Sequence, residues 1–175
     1  MNVAMNAAQI HVRPERSDDH AAIRTVLEAA FRTPAEAGLV QQLREDGDLV
    51  LALVAQHADG RVVGHIAFPR LGIAGHGRVT PCVALAPLGV MPEMQRRGIG
   101  AALVETGLDM LARKGETLVL VLGDPAYYQR FGFAADAAAA FESPYSGPHL
   151  MAKPLVPDAP TEGVVRYPRA FADLG

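Results

Sequence analysis

Gln95-Arg96-Arg97-Gly98-Ile99-Gly100 is the stretch whose residue types most directly suggest chemistry. It follows an apolar run and opens a segment of helical spacing. Glycine lets the backbone approach a bulky anion, and the first amides of a helix have no partners within it. The helix dipole favours negative charge at that end, and Arg96 and Arg97 add full positive charge. A pyrophosphate is the natural ligand of such a loop. The bland alternative is a glycine turn leading into a surface helix with solvated arginines. Gly98 and Gly100 half-match the dinucleotide-binding fingerprint, but Leu103 stands where its third glycine belongs, and that motif belongs near the start of a domain. No P-loop lysine pattern is present. Cys82 lies in an apolar run with no base nearby and reads as packing. His11, His20, His57, His65, His76 and His149 show no metal-ligand spacing, so no metal is expected.

The elements that must position this loop follow from the hydrophobic period. Ile10 to Val12 reads as a first strand ended by Pro14. Ser17, Asp18 and Asp19 offer caps for a helix carrying Ile23, Val26, Leu27 and Ala30 to about Phe31. Pro34 breaks it, and Leu39, Val40 and Leu43 suggest a second helix closed near Gly47. Leu49 to Ala55 reads as a buried strand, Asp59-Gly60 as a hairpin turn, and Val62 to Phe68 as its partner. Gly72, Gly75 and Gly77 read as a flexible connection. Val79 to Val90 is a longer apolar segment interrupted by Pro81 and Pro87. Ile99 to Lys114 forms a helix with Gly115 at its C-cap, followed by the strand Leu118 to Leu122. Ala134 to Ala140 is a short helix or a loop, and His149 to Ala152 a last strand. A helix between two strands makes a right-handed crossover, so that pair is parallel, whereas the hairpin is antiparallel. The expected fold is α/β or α+β with a mixed central sheet. Residues 1–9 read as a flexible arm, 10–155 as a single domain, and 156–175 as an irregular tail packed on or near it.

Directly after the Leu118–Leu122 strand runs Gly123-Asp124-Pro125-Ala126-Tyr127-Tyr128-Gln129-Arg130-Phe131-Gly132-Phe133. This stretch resembles the aromatic-Tyr-x-(basic)-x-Gly-Phe signature of the GCN5-related N-acetyltransferase (GNAT) superfamily. It lies downstream of the Gln-x-x-Gly-x-Gly loop in the family's order, and Val90-Met91-Pro92-Glu93 resembles the strand end and proline that precede that loop. The resemblance implies helices on both faces of the sheet and two splayed central parallel strands. It implies acetyl-CoA as cosubstrate, with pantetheine along the backbone of Leu88, Gly89 and Val90. The pyrophosphate would sit on the amides of Arg96, Arg97, Gly98, Ile99, Gly100 and Ala101, with Gln95 also at the coenzyme. It also implies that an amine attacks the thioester directly in a ternary complex, with Tyr128 protonating the departing thiolate. Tyr127 aligns with a packing aromatic. Asp124 reads as the cap of a short helix more than as a ligand contact.

The chain has 175 residues, half of them apolar, a formal net charge of −3 and one cysteine. That is one globular domain with no basic field for nucleic acid or an anionic membrane, and no internal disulfide. No stretch is apolar enough to span a bilayer and no signal peptide is evident, so the expected setting is the cytoplasm. The acceptor is a small-molecule or peptide amine. Its specificity is expected from the Phe31–Gly38 connection, the Gly72–Gly77 loop and the Tyr145–His149 loop. A homodimer is compatible with the family. No carboxylate lies between Arg61 and Leu88, so the glutamate base of many relatives is missing. That gap keeps open a second reading, an acyl-CoA-binding sensor or regulatory module without turnover.

Overall fold

The computed structural model describes residues 9–174, so all of the expected arm but Gln9 lies outside the described residues. Strands β1 (Ile10–Pro14), β2 (Leu49–His57) and β3 (Val62–Gly75) form an antiparallel run. Strand β3 has 14 residues, ten of them buried, and it joins two half-sheets. Its first half pairs with β2 and with the short β5 (Leu88–Val90). Its second half pairs with β4 (Arg78–Leu85) and β9 (Gly163–Arg166). Strand β4 runs parallel to β6 (Leu118–Leu122), which pairs with β8 (Leu150–Pro154), and β7 (Phe141–Glu142) lies beside β9. The mixed sheet has nine strands among the described residues.

Helix α3 (Ile99–Arg113) makes the crossover from β5 to β6 and buries Ile99, Leu103, Val104, Leu108 and Leu111 against Leu53, Ile66 and Phe68. Helices α1 (His20–Phe31) and α2 (Ala35–Asp46) cover the other face, where Ile23, Leu27 and Val40 meet Val54 and Ala67. Apolar positions at helical spacing thus find a sheet face on each side.

Three expectations are corrected. Gly72 to Gly75 is strand, not a flexible connection: Gly72 is paired with Pro81 on one side and Arg166 on the other, and ladders on both sides override the glycines. The tail is not wholly irregular, since it contributes β9 and a 3₁₀ turn (Arg169–Leu174) whose Ala170 packs on Leu39 and Leu43. Asp19 does not cap α1; its carboxylate takes both ends of the Arg13 guanidinium, at 2.8 and 2.9 Å, and the Arg16 amide.

Glu15 binds Arg44 at 2.8 Å and His65 Nε2 at 2.9 Å, tying β1, α2 and β3 together. His65 is fully buried, and burial lowers its pKa despite Glu15. Its Nδ1 has no partner among the described residues, so a second ring proton would be a buried, unmatched donor. The ring is therefore neutral with its proton on Nε2. Burial raises the Glu15 pKa, and hydrogen bonds from His65 and Arg44 outweigh it, bringing the carboxyl to about 2.

Both shifts remove stability in acid. The His65 contribution is complete above its unfolded pKa of about 6.5 and declines below it; that of Glu15 is complete above about 4.5 and is lost as pH falls toward 2. Urea unfolding should show the folding free energy falling from pH 7 to pH 3. Glu15→Gln should flatten the part below pH 4.5, and an acid limb unchanged in that variant would refute the assignment.

Candidate active site

Strand β5 continues the path of β4 along β3 but loses β6 as its second partner. At the junction Ala86 N–H donates to Ala67 O and Ala67 N–H to Pro87 O, two residues facing one, which is a bulge. Upstream, Val83 to Leu85 pair with Val119 to Val121 of β6; downstream, Leu88 to Val90 pair only with Gly64 to Ile66 of β3. Strands β5 and β6 therefore diverge, and the sheet is forked.

The ladder decides which groups of β5 are open. Pro87 O and Met91 N–H bond to β3, so by antiparallel alternation Gly89 also faces β3. Leu88 and Val90 turn their backbone groups to the fork. The Val90 carbonyl accepts from Gln95 Nε2 at 3.1 Å, leaving Leu88 N–H, Leu88 C=O and Val90 N–H on the open edge.

At one mouth of the fork lies the start of α3. Arg96 (φ 64°) and Gly98 (φ 82°) turn the chain through the left-handed region into the helix. No side chain caps it, and Ala102 N–H is the first to reach back, to Gly98 O at 3.0 Å. The amides of Ile99, Gly100 and Ala101 thus have no helical acceptor. They border a cleft of about 440 Å³ lined also by Gln95, Arg96, Tyr127 and Arg130. A Cβ on Gly100 would lie 2.7 Å from the Tyr127 hydroxyl, so glycine is what lets that hydroxyl close on the loop. The Arg130 guanidinium lies 4.3 Å over the Tyr127 ring, which holds it at the cleft.

At the other mouth is Tyr128. Asp124 Oδ1 accepts from Ala126 N–H at 3.0 Å and caps the short helix α4 (Pro125–Tyr128). The Tyr128 ring meets Tyr127 and Phe133 edge-on, with centroids 5.0 and 5.8 Å away. Its hydroxyl has no hydrogen-bond partner among the described residues, and burial, with Tyr127 adding, raises its pKa to about 12. It borders a second cavity of about 340 Å³. Leu88 lines both cavities, so the two meet at the open edge of β5.

Of the ten residues expected at the coenzyme, Leu88, Val90, Gln95, Arg96, Gly98, Ile99, Gly100 and Ala101 line the cleft. Gly89 does not: its backbone faces β3, and a Cβ there would meet Leu27 of α1 at 2.9 Å. Arg97 is exposed and does not line the cleft. Tyr127, expected only to pack, stands at the cleft together with Arg130, whose basic place in the motif was the available signal. Of the three segments expected to set acceptor specificity, the first brings Phe31 and Glu36 to the second cavity and the third brings Tyr145, whereas Gly72–Gly77 contributes nothing to it. Cys82 is buried and its thiol is pushed up to about 12 by burial, consistent with packing.

A mixed sheet forked beside the uncapped start of a helix, with a tyrosine at the fork, defines the class of acyltransferases with the GNAT fold. The chain belongs to the GNAT acetyltransferase family, whose domain model, "Acetyltransferase (GNAT) domain", matches residues 11–135. It is 42% identical over 122 residues to the uncharacterized N-acetyltransferase YhbS of Escherichia coli K12, covering 70% of this chain and 72% of that one. The crystal structure of E. coli YhbS in complex with CoA superposes with a TM-score of 0.87 at 36% identity, over 95% of this chain and 94% of that one. A GNAT family acetyltransferase from Brucella melitensis in complex with acetyl-CoA gives 0.78 at 38% identity, over 93% and 97%. Among the described residues no group of three or more His, Cys, Asp or Glu could hold a metal, and no helix is long and apolar enough to cross a membrane.

Proposed function

We propose that this protein transfers the acetyl group of acetyl-CoA to a primary amine within a ternary complex. The observation that carries the reading is the fork: unpaired α3 amides at one mouth, a free β5 edge along it and the Tyr128 hydroxyl at the other. The α3 amides and Arg96 hold the pyrophosphate, and Leu88 and Val90 hydrogen-bond the pantetheine amides as a neighbouring strand would. The acceptor's ammonium first gives one proton to water, and the neutral nitrogen then attacks the thioester carbonyl carbon, forming the C–N bond and placing the π electrons on oxygen. A backbone N–H of the open edge stabilises that oxyanion. Collapse breaks the C–S bond, Tyr128 gives its proton to sulfur, and the nitrogen loses its proton to water.

Acetyl-CoA should raise the melting temperature and NAD should not. At a hundred times Kd the added stability is about 2.7 kcal/mol, or about 5–10 °C for a domain of this size. No shift at saturating CoA or acetyl-CoA would remove the reading. A shift with no thiol released from a broad amine panel would favour an acyl-CoA sensor instead.

A further inference from the structure

The cavity beyond Tyr128 has an uneven chemistry. Its walls are Phe31, Leu39, Leu71, Tyr145, Tyr167 and Phe171, and its single charged lining residue among the described ones is Glu36. The aromatic wall is built in advance of any ligand. Tyr167 meets Tyr145 at 5.2 Å edge-on and Phe171 at 5.5 Å, and its hydroxyl is held by Ser143 Oγ at 2.7 Å. Ser143 Oγ is held in turn by the Tyr145 amide at 3.1 Å. Such a wall binds an apolar group with little loss of side-chain freedom.

Glu36 has an ordinary reading, as the acid in the first turn of α2 after Thr33. Thr33 Oγ1 does accept from the Ala35 amide at 2.9 Å, and its hydroxyl donates to Glu36 Oε2 at 3.3 Å. That uses one carboxylate oxygen. The other has no hydrogen bond, and no Lys, Arg or His pairs with Glu36 among the described residues. With one oxygen free and no counter-charge, the carboxylate stands at the edge of an otherwise apolar cavity, where a ligand ammonium would pair with it.

We infer that the acceptor carries one primary ammonium on a bulky apolar, ring-sized group, with Glu36 binding the ammonium and the Tyr145–Tyr167–Phe171 wall binding the group. An arylalkylamine and the amino terminus of a peptide that begins with an aromatic residue share this chemistry. A polyamine does not, because the cavity offers one carboxylate and would leave further ammoniums unpaired among rings. The inference rests on the acetyl-transfer reading for its meaning, but its test does not require turnover.

The test is calorimetric titration of the protein, with and without CoA, by 2-phenylethylamine, the tripeptide Phe-Gly-Gly, the neutral 2-phenylethanol, and spermidine. The two aromatic amines separate a small-molecule from a peptide source. At least one should bind ten or more times tighter than spermidine. Glu36→Gln keeps the volume and the Thr33 contact; it should weaken that amine at least tenfold while leaving 2-phenylethanol and CoA unchanged. Spermidine binding as tightly as the aromatic amines, no binding by either aromatic amine, or an unchanged affinity in Glu36→Gln would each overturn the inference. A protein that binds the aromatic amine through Glu36 but not CoA would instead sink acetyl transfer and leave the acceptor site standing.

Discussion

Tyr128→Phe is expected to slow acetyl transfer at least tenfold under single-turnover conditions while leaving coenzyme affinity nearly intact. The ring is fixed by edge-on contacts with Tyr127 and Phe133, and phenylalanine keeps both. The hydroxyl has no partner among the described residues, so its removal breaks no hydrogen bond and folding stability should hardly change. What disappears is the proton for the sulfur as the tetrahedral intermediate collapses. A positioned general acid contributes about a hundredfold to ten-thousandfold. A thiolate is already a fair leaving group and water can substitute in part, which places this loss toward the low end. The raised pKa of about 12 adds a second expectation: Tyr128 stays protonated through the working range, so the wild-type rate should show no alkaline fall from this residue below about pH 11. An unchanged chemical step in a folded Tyr128→Phe protein would make Tyr128 a packing residue.

The parts of the fold with a strong local period were legible in the sequence. Leu118–Leu122 is a continuous apolar run, and α3 has apolar residues at helical spacing with Gly115 behind it; the strand has the bounds its sequence predicts, and the helix ends one residue short of Lys114. The uncapped turn into α3 was legible because its requirements are local: a left-handed glycine and a helix start with no capping side chain. The fork was not. It arises because β3 is long enough to serve two half-sheets and because the chain, still paired with β3, parts from β6 at Ala86 and Pro87. The sequence shows a proline interrupting an apolar run, but not which strand each half pairs with.

Partner choice also explains why Gly89 does not line the cleft. Leu88, Gly89 and Val90 are alike as a run, yet the register against Ile66, His65 and Gly64 turns the middle one away from the fork. Strand β9 was hidden because Gly163–Arg166 has only four residues between prolines and gains its stability from β3 and β7. Glu36 was hidden for a different reason. Its neighbours in sequence mark a helix start, and only the packing of α2 beside Phe31 and the C-terminal turn brings it to an apolar cavity.

Gly100→Val should weaken coenzyme binding about a hundredfold or more, with a smaller effect on folding. The loop offers three unpaired amides, and hydrogen bonds to a charged group are worth about 1.5–3 kcal/mol each, so displacing the pyrophosphate from two of them exceeds the 2.8 kcal/mol that a hundredfold represents. The structure adds a second route to the same loss. A Cβ at Gly100 would lie 2.7 Å from the Tyr127 hydroxyl and 3.8 Å from Leu88 Cδ2, so the Tyr127 ring would have to move. That ring is packed against Tyr128 and Phe131 and lies under Arg130, which leaves it little room. A double-mutant cycle separates the two routes. Tyr127→Phe removes the clashing oxygen, and the ring carbon that bore it lies 3.9 Å from the added Cβ, ordinary contact. If valine acts through Tyr127, the Gly100→Val, Tyr127→Phe pair should recover the affinity of Tyr127→Phe alone. If valine occupies the pyrophosphate's own space, the loss should persist in the pair, and persistence is the expected result because the Gly100 amide borders the cleft directly. Full coenzyme affinity in a folded Gly100→Val protein would show that the loop is a turn and not an anion site.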